Sequence, residues 1–235
     1  MIHHDDVFIK SVMQQIKSTL LAIFFLVHQC VYADEEILDL LVPSVTGSKE
    51  SKIGYTDIEE LLADRYFEEA IALAEEMVEN NESLKTIKPI AYGKLLTNLA
   101  IILTYAGQYE DSLEISEKAL AHLESFLPQF SPELLDIILV RSHTLSTMER
   151  LDRARQQLRR AQHITHRNDG VYTVSQLPII KKLFEISVRT GNYLNADKQK
   201  LFTLQVMKKT YGSRSEEILP TLVELGSYFG ERAAS

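Results

Sequence analysis

From Lys94 to Leu120 the chain reads KLLTNLAIILTYAGQYEDSLEISEKAL, and its apolar positions fall into two helical faces separated by a tight turn. Leu95, Leu96, Leu99, Ile102, Leu103 and Tyr105 precede the turn Gly107-Gln108-Tyr109, and Leu113, Ile115, Ala119 and Leu120 follow it. Apolar residues three and four apart share one helix face, so each half predicts an amphipathic helix. Gly107 tolerates positive φ at no steric cost, which would end the first helix and reverse the chain. Tyr109 is then expected to wedge between the two helices, with Ala100, Ser112 and Ala119 small where they approach closely.

The same pattern recurs at one fixed spacing. Phe67, Tyr109, Leu151 and Tyr193 are each 42 positions apart, as are Ala70, Ser112, Ala154 and Ala196. Gly107 recurs as Gly191, with Glu149 between them, and Leu96, Ile138, Ile180 and Leu222 form a further column. In-phase columns with a period of 20 to 50 residues mark a solenoid of stacked supersecondary units.

The signature Gly-x-Tyr-x-x-small, after a helix carrying Leu-x-x-Leu-Ala, resembles the tetratricopeptide repeat. The residues that carry it are Leu96, Leu99, Ala100, Leu103, Gly107, Tyr109, Ser112 and Ala119, and again Ile180, Leu183, Gly191, Tyr193 and Ala196. The usual period is about 34, and the longer spacing here is similar to kinesin-light-chain-type repeats. Lys208-Lys209-Thr210-Tyr211-Gly212 looks like the link between such repeats. The resemblance spans roughly residues 54 to 230, strongest in repeats two and four. Arg141, Phe184, Lys200 and Thr203 depart from it, standing where small or apolar residues are the rule. A HEAT or armadillo array also has a period in the forties; the Gly-x-Tyr turn favours the tetratricopeptide form. The fold this implies is all-α: a right-handed superhelical solenoid of antiparallel helix pairs, about four repeats plus a C-terminal capping helix.

Along the chain, residues 1–33 read as a signal peptide. Lys10 and Lys17 precede the apolar run Leu20 to Val27, Val31-Tyr32-Ala33 offers a cleavage site, and Met13 offers an alternative start. The run is shorter than the roughly 20 residues a membrane span needs. An uncleaved anchor and lipid attachment at Cys30 are the competing readings. Residues 34–54 form a lead-in and linker, rich in Ser, Thr and Gly after Pro43. Residues 55–235 hold the repeats. Helices are expected near 56–63 and 66–79, from Pro89 onward and on to about Phe126. Two more pairs follow over 131–166 and 174–209, with Ser131 as a cap, and a last helix is led in by Ser215.

Composition adds bounds. With 45% apolar and 25% charged residues and only 9 glycines and 6 prolines, the chain suits an all-helical core. A net charge of −8 gives no basic footprint for nucleic acid. Cys30 is the single cysteine, so cleavage after Ala33 would leave a chain without a thiol, which suits an oxidising compartment. No catalytic motif or phosphate loop is present, and neither a cofactor nor a metal is expected. His163 and His166 lack a third ligand nearby in sequence. Arg150, Arg153, Arg155, Arg159 and Arg160 read as a salt-bridged outer helix face, with an acidic docking site as the alternative.

The resemblance implies a concave surface lined by the first helix of each repeat, where the family accepts peptides or proteins. Its lining positions fall on Lys94, Thr97, Asn98, Ile101 and Tyr105, then Leu139, His143 and Thr147, then Lys181, Lys182, Glu185 and Arg189. Of these, Lys94, Asn98, Tyr105, His143, Lys181, Glu185 and Arg189 are the candidate partner-binding groove, since aromatic, amide and charged groups suit peptide recognition. The expected function is a non-enzymatic exported scaffold, periplasmic if bacterial, that binds a protein or peptide partner in this groove. The alternatives are a docking module for an enzyme or larger assembly whose catalytic part lies elsewhere, and self-association through the last helix.

Overall fold

The computed structural model describes residues 37, 38, 40 and 57–234. The predicted leader and nearly all of the lead-in lie outside these residues. Within residues 57–234 ten helices follow one another: α1 (57–63), α2 (Phe67–Asn80), α3 (Leu84–Ile87), α4 (Pro89–Tyr105), α5 (Tyr109–Glu124), α6 (Leu135–Thr147), α7 (Leu151–Asn168), α8 (Leu177–Arg189), α9 (Tyr193–Tyr211) and α10 (Leu219–Ala234). Antiparallel pairs α4–α5, α6–α7 and α8–α9 stack in sequence, with α2 against α4 at one end and α10 against α9 at the other. The short helix α3 was not foreseen.

Why the chain turns where it does is visible in the backbone. Arg65, Gly107, Glu149 and Gly191, 42 residues apart, all adopt positive φ, at 63°, 82°, 58° and 67°. In each case the following amide reaches back five residues: Tyr66 to Leu61, Gln108 to Leu103, Arg150 to Leu145 and Asn192 to Ser187, all at 2.8 Å. This is the Schellman termination, which satisfies the last carbonyls of the preceding helix and aims the chain into the next. The next helix then begins at Phe67, Tyr109, Leu151 or Tyr193. Gly107 and Gly191 supply the conformation freely, whereas Arg65 and Glu149 adopt it against their steric preference.

Helix entry repeats as faithfully. Single 3₁₀ turns at Pro132–Leu134, Val174–Gln176 and Glu216–Ile218 precede α6, α8 and α10, again 42 residues apart. Each places its third residue in the core: Leu134, Gln176 and Ile218. Gln176 is polar, and its amide donates to the carbonyl oxygens of Gly170 and Val171 while its Oε1 meets Nε2 of His166, so burial costs it no hydrogen bond. The Ser215 hydroxyl accepts from the Glu217 amide, as a cap should. Ser131 does not act as the expected cap, because its hydroxyl donates to the Glu133 carboxylate instead.

Close helix crossing rests on small residues. Ala70, Ser112, Ala154 and Ala196 are wholly buried, as are Ala100, Ala119 and Ala161. The expected tyrosine wedge is looser: Tyr109 is half-buried and Tyr193 is 45% exposed, so this column guides the turn more than it fills the core. Gly93 marks another close approach, since a Cβ there would lie 2.4 Å from the Leu123 side chain.

Two departures from the repeat pattern, Phe184 and Lys200, find their reasons at the C-terminal end. Phe184 occupies a small-residue column and its ring meets Tyr228 of α10 edge-on at 5.2 Å. The Lys200 ammonium lies 4.6 Å from the Phe184 ring and 3.2 Å from Glu224. Tyr228 donates to Asp197 at 2.7 Å, Arg232 pairs with the same carboxylate at 3.3 Å, and its guanidinium covers Tyr193. Desolvation, the Asp197 hydrogen bond and the Asp197 charge push the Tyr228 hydroxyl up to about 12. Arg141 is largely covered and pairs with Glu117 at 3.9 Å.

The turn geometry yields a paired test. Gly191→Val should lower stability by about 1–3 kcal/mol, because a β-branched residue resists a left-handed backbone. Arg65→Gly should be neutral or stabilising by up to ~1 kcal/mol, strain relief being offset by the freer unfolded chain. Thermal unfolding followed by circular dichroism reads both, at about 2–4 °C per kcal/mol for a domain of this size. Equal losses at the two positions would contradict the shared turn.

Candidate concave binding surface

The first helices α4, α6 and α8 present equivalent positions along one face, and the structure treats the three repeats differently. In repeat two, Asn98 is 2% exposed and Ile101 fully buried, while Lys94 and Tyr105 are half-buried. In repeat three, Val140 is fully buried and His143 is 8% exposed, with Leu139 and Thr147 half-buried. In repeat four, Lys181, Glu185 and Arg189 are exposed and Lys182 half-buried. Asn98, His143, Lys181 and Lys182 all have polar or ring partners.

Two of the candidate residues have visible internal tasks. The Tyr105 ring meets Phe67 edge-on at 5.9 Å and so ties α4 to the turn of repeat one. Arg189 donates to Ser146 Oγ at 2.7 Å and to the Ser146 carbonyl at 2.9 Å, and pairs with Glu149 at 2.8 Å. Those bonds staple α8 to the turn between α6 and α7, and they leave Lys181 and Glu185 as the exposed charged pair of repeat four.

Asp136 was missed, although it stands 42 residues after Lys94 in the same column. Desolvation raises its pKa above the ordinary 3.8, and the charge of Lys94 pulls the other way. A buried hydroxyl cluster also escaped notice. Thr104 Oγ1 lies 2.6 Å from Ser112 Oγ and 2.8 Å from Thr144 Oγ1, joining α4, α5 and α6 in a satisfied polar knot.

Away from this face, the arginine-rich helix α7 is bound into its surroundings. Arg160 pairs with Glu124 at 2.5 Å, Arg155 with Asp152 and Thr190, and Arg159 with Gln162. His163 is exposed, and His166 is held by Gln176 and faces the Phe202 ring. Among the described residues no group of three metal-ligating side chains converges, and no helix is long and apolar enough to cross a membrane.

Asp136 gives a pH test. Its folded-state pKa is raised, so the folded chain holds this proton to higher pH than the unfolded chain does. Its contribution to stability is therefore present below the ordinary pKa and is lost as pH rises through the raised one. Asp136→Asn should melt higher than the parent at pH 7, with the gain shrinking as pH falls through the raised pKa and gone below the ordinary 3.8. A gain of equal size at both ends of a pH series of melting curves would rule out the desolvated carboxylate as its source.

Known proteins match this architecture. A tetratricopeptide-repeat family profile matches residues 94–121, the stretch that first showed the helix pair. No curated protein matches the chain. Among solved structures, BtubC (BKLC) from P. vanneervenii superposes with a TM-score of 0.64 at 16% identity, over 86% of this chain and 81% of that one. A Podosopora anserina protein, described as a kinesin light chain with nearly identical TPR-like repeats, superposes with a TM-score of 0.65 at 17% identity. That match covers 78% of this chain and 87% of that one. At such identities the likeness speaks for the fold: a right-handed superhelix of antiparallel helix pairs. The matched stretch, its 42-residue copies and that shared superhelix give the chain a tetratricopeptide-repeat fold.

Proposed function

We propose that this protein is a non-enzymatic, exported scaffold that holds a protein or peptide partner on its concave face. The tetratricopeptide fold is in general a protein-interaction scaffold. The observation that carries the reading is the exposed charged surface of repeat four, where Lys181 and Glu185 stand on the lining face of a helix whose apolar side is buried through Ile179, Ile180, Leu183 and Ile186. A rigid helix that offers a patterned charged face suits recognition of an extended or helical segment. The export part rests on the sequence of residues 1–33, and the periplasm follows if the source is bacterial.

A second reading, an accessory module within a larger assembly, draws on α10. Leu219, Leu222 and Val223 are exposed there, and Leu222 belongs to the column that is buried in the preceding repeats.

Affinity capture from the native source tests both. The bait is the chain from Asp34, beside two variants with helicity checked by circular dichroism: Lys181→Ala/Glu185→Ala, and Leu222→Asp/Val223→Asp. The concave reading expects a partner at least tenfold depleted by the first variant and retained by the second. The opposite pattern favours the assembly reading, and equal capture by all three baits removes the concave site. N-terminal sequencing of the mature protein should begin at Asp34; an intact Met1 or Met13 would remove cleavage after Ala33.

A further inference from the structure

Charge is divided sharply along the array. Residues 57–82, which form repeat one, hold ten carboxylates against one arginine, and residues 150–214 hold fourteen lysines and arginines against four carboxylates. The second helices α2, α5, α7 and α9 turn their outer faces away from the concave side, and equivalent outward positions differ from repeat to repeat. In repeats one and two, four of five such positions are glutamate and one is alanine: Glu68, Ala72, Glu75, Glu79 and Glu82, then Glu110, Glu114, Glu117, Ala121 and Glu124. All ten are exposed, as an ordinary solvated helix face should be. In α9 the same positions are Leu194, Lys198, Leu201, Gln205 and Lys208.

Leu194 is 67% exposed and Leu201 48%, and Lys198, Gln205 and Lys208 are exposed with them. Steps of four and three residues place all five on one stripe of the helix. The other sides of α9 are engaged already: Ala196, Gln199 and Val206 are buried, and Asp197 and Lys200 are held by Tyr228, Arg232 and Glu224 of α10. The outward stripe is therefore a second apolar surface, edged with lysine, on a helix whose inward face is occupied. Helices α2, α5 and α7 place no leucine at these positions.

We propose that this stripe docks on the acidic outer face of α2 in a second copy of the chain, joining copies end to end. The exposed Glu69, Ala72, Glu76 and Glu79 of α2 repeat the spacing of Lys198, Leu201, Gln205 and Lys208. With the two helices laid parallel and Leu201 set on Ala72, equal steps bring Lys198 to Glu69, Gln205 to Glu76 and Lys208 to Glu79. Ala72 ends at its Cβ, so it leaves the room a leucine needs between acidic neighbours. Leu194 then comes beside Tyr66, which is 55% exposed at the start of α2. The opposite charges steer the encounter and fix the register, and the leucines supply apolar area withdrawn from water. The two surfaces are different, so the contact is heterologous: each copy keeps one acidic and one basic surface free, and growth passes beyond a dimer. The concave face of α4, α6 and α8 takes no part, so the contact stands independently of any partner held there.

Sedimentation equilibrium of the full chain tests this. The mean mass should rise with concentration past that of a dimer. Lys198→Glu/Lys208→Glu and Glu69→Lys/Glu79→Lys should each weaken association at least tenfold, because each variant sets like charge on like. An equal mixture of the two variants should associate again, since every contact between unlike copies then pairs opposite charges. Leu194→Ala/Leu201→Ala should weaken association several-fold with the charges intact. Circular dichroism checks the fold of each variant. Should a charge reversal lose its helical signal, the milder Lys198→Gln/Lys208→Gln and Glu69→Gln/Glu79→Gln variants read the same contact, each expected to weaken it several-fold. A strict monomer at millimolar concentration overturns the proposal and leaves the α9 stripe to a foreign acidic partner. Association that the variants leave undiminished, or a mixture no more associated than its components, overturns it as well.

Discussion

Everything in this molecule depends on how closely the second helix of each pair can lie on the first. The backbones meet where Ala70, Ser112, Ala154 and Ala196 recur, and these residues retain no exposed surface. A pair of amphipathic helices cannot enclose its own apolar face, so each pair must lend that face to the next. A repeating unit follows from this. One core then runs from Leu96 through Ile138 and Ala161 to Ile186. Close approach also brings polar atoms together, and the Thr104–Ser112–Thr144 knot shows how they are satisfied: each hydroxyl accepts or donates within the crossing, so the cost of burying oxygen is offset.

Most of the fold was legible because it is periodic. Turn, entry and crossing residues recur at one spacing, and any one clear repeat teaches the others. The harder positions are those where backbone geometry is imposed by neighbours. Arg65 and Glu149 hold the same left-handed turn as Gly107, yet nothing in their chemistry announces it. The column position is the only signal, and it was read for Glu149 and missed for Arg65. Phe184 and Lys200 seemed misplaced in a repeat pattern because their reason lies in a different element: they meet Tyr228 and Glu224 of α10, whose own position the local sequence cannot give.

The concave surface was legible as a set of positions and not as a surface. Transferring lining positions from helix to helix says which side chains point inward from α4, α6 and α8. It cannot say which of them meet solvent. Arg189 illustrates the gap, since its guanidinium is fixed on Ser146 and Glu149 of the repeat before. Asn98 and Ile101 illustrate it further, since they lie at positions open to a partner in an empty groove and are buried here.

The two ends of the array meet the same problem by different means. A solenoid leaves a raw apolar face at each terminus, and the usual remedy is a helix with a polar outer side. At the C-terminal end, α10 takes that place but is held chiefly by polar and aromatic contacts: Asp197 with Tyr228 and Arg232, Arg232 over Tyr193, and Lys200 between Phe184 and Glu224. Such contacts are directional, and partly exposed ones hold weakly. Consistent with that, α10 keeps Leu219, Leu222 and Val223 in solvent and leaves open space around Gly226 and Gly230. Toward the N-terminus, α1 and α2 bury Ile58, Leu62, Ala70, Ile71 and Ala74 in one apolar cluster with α4, an attachment that loses water-excluded area if it leaves. The array is thus closed firmly where the chain begins its repeats and loosely where it ends them, which favours rearrangement at α10 over rearrangement at α1 and α2.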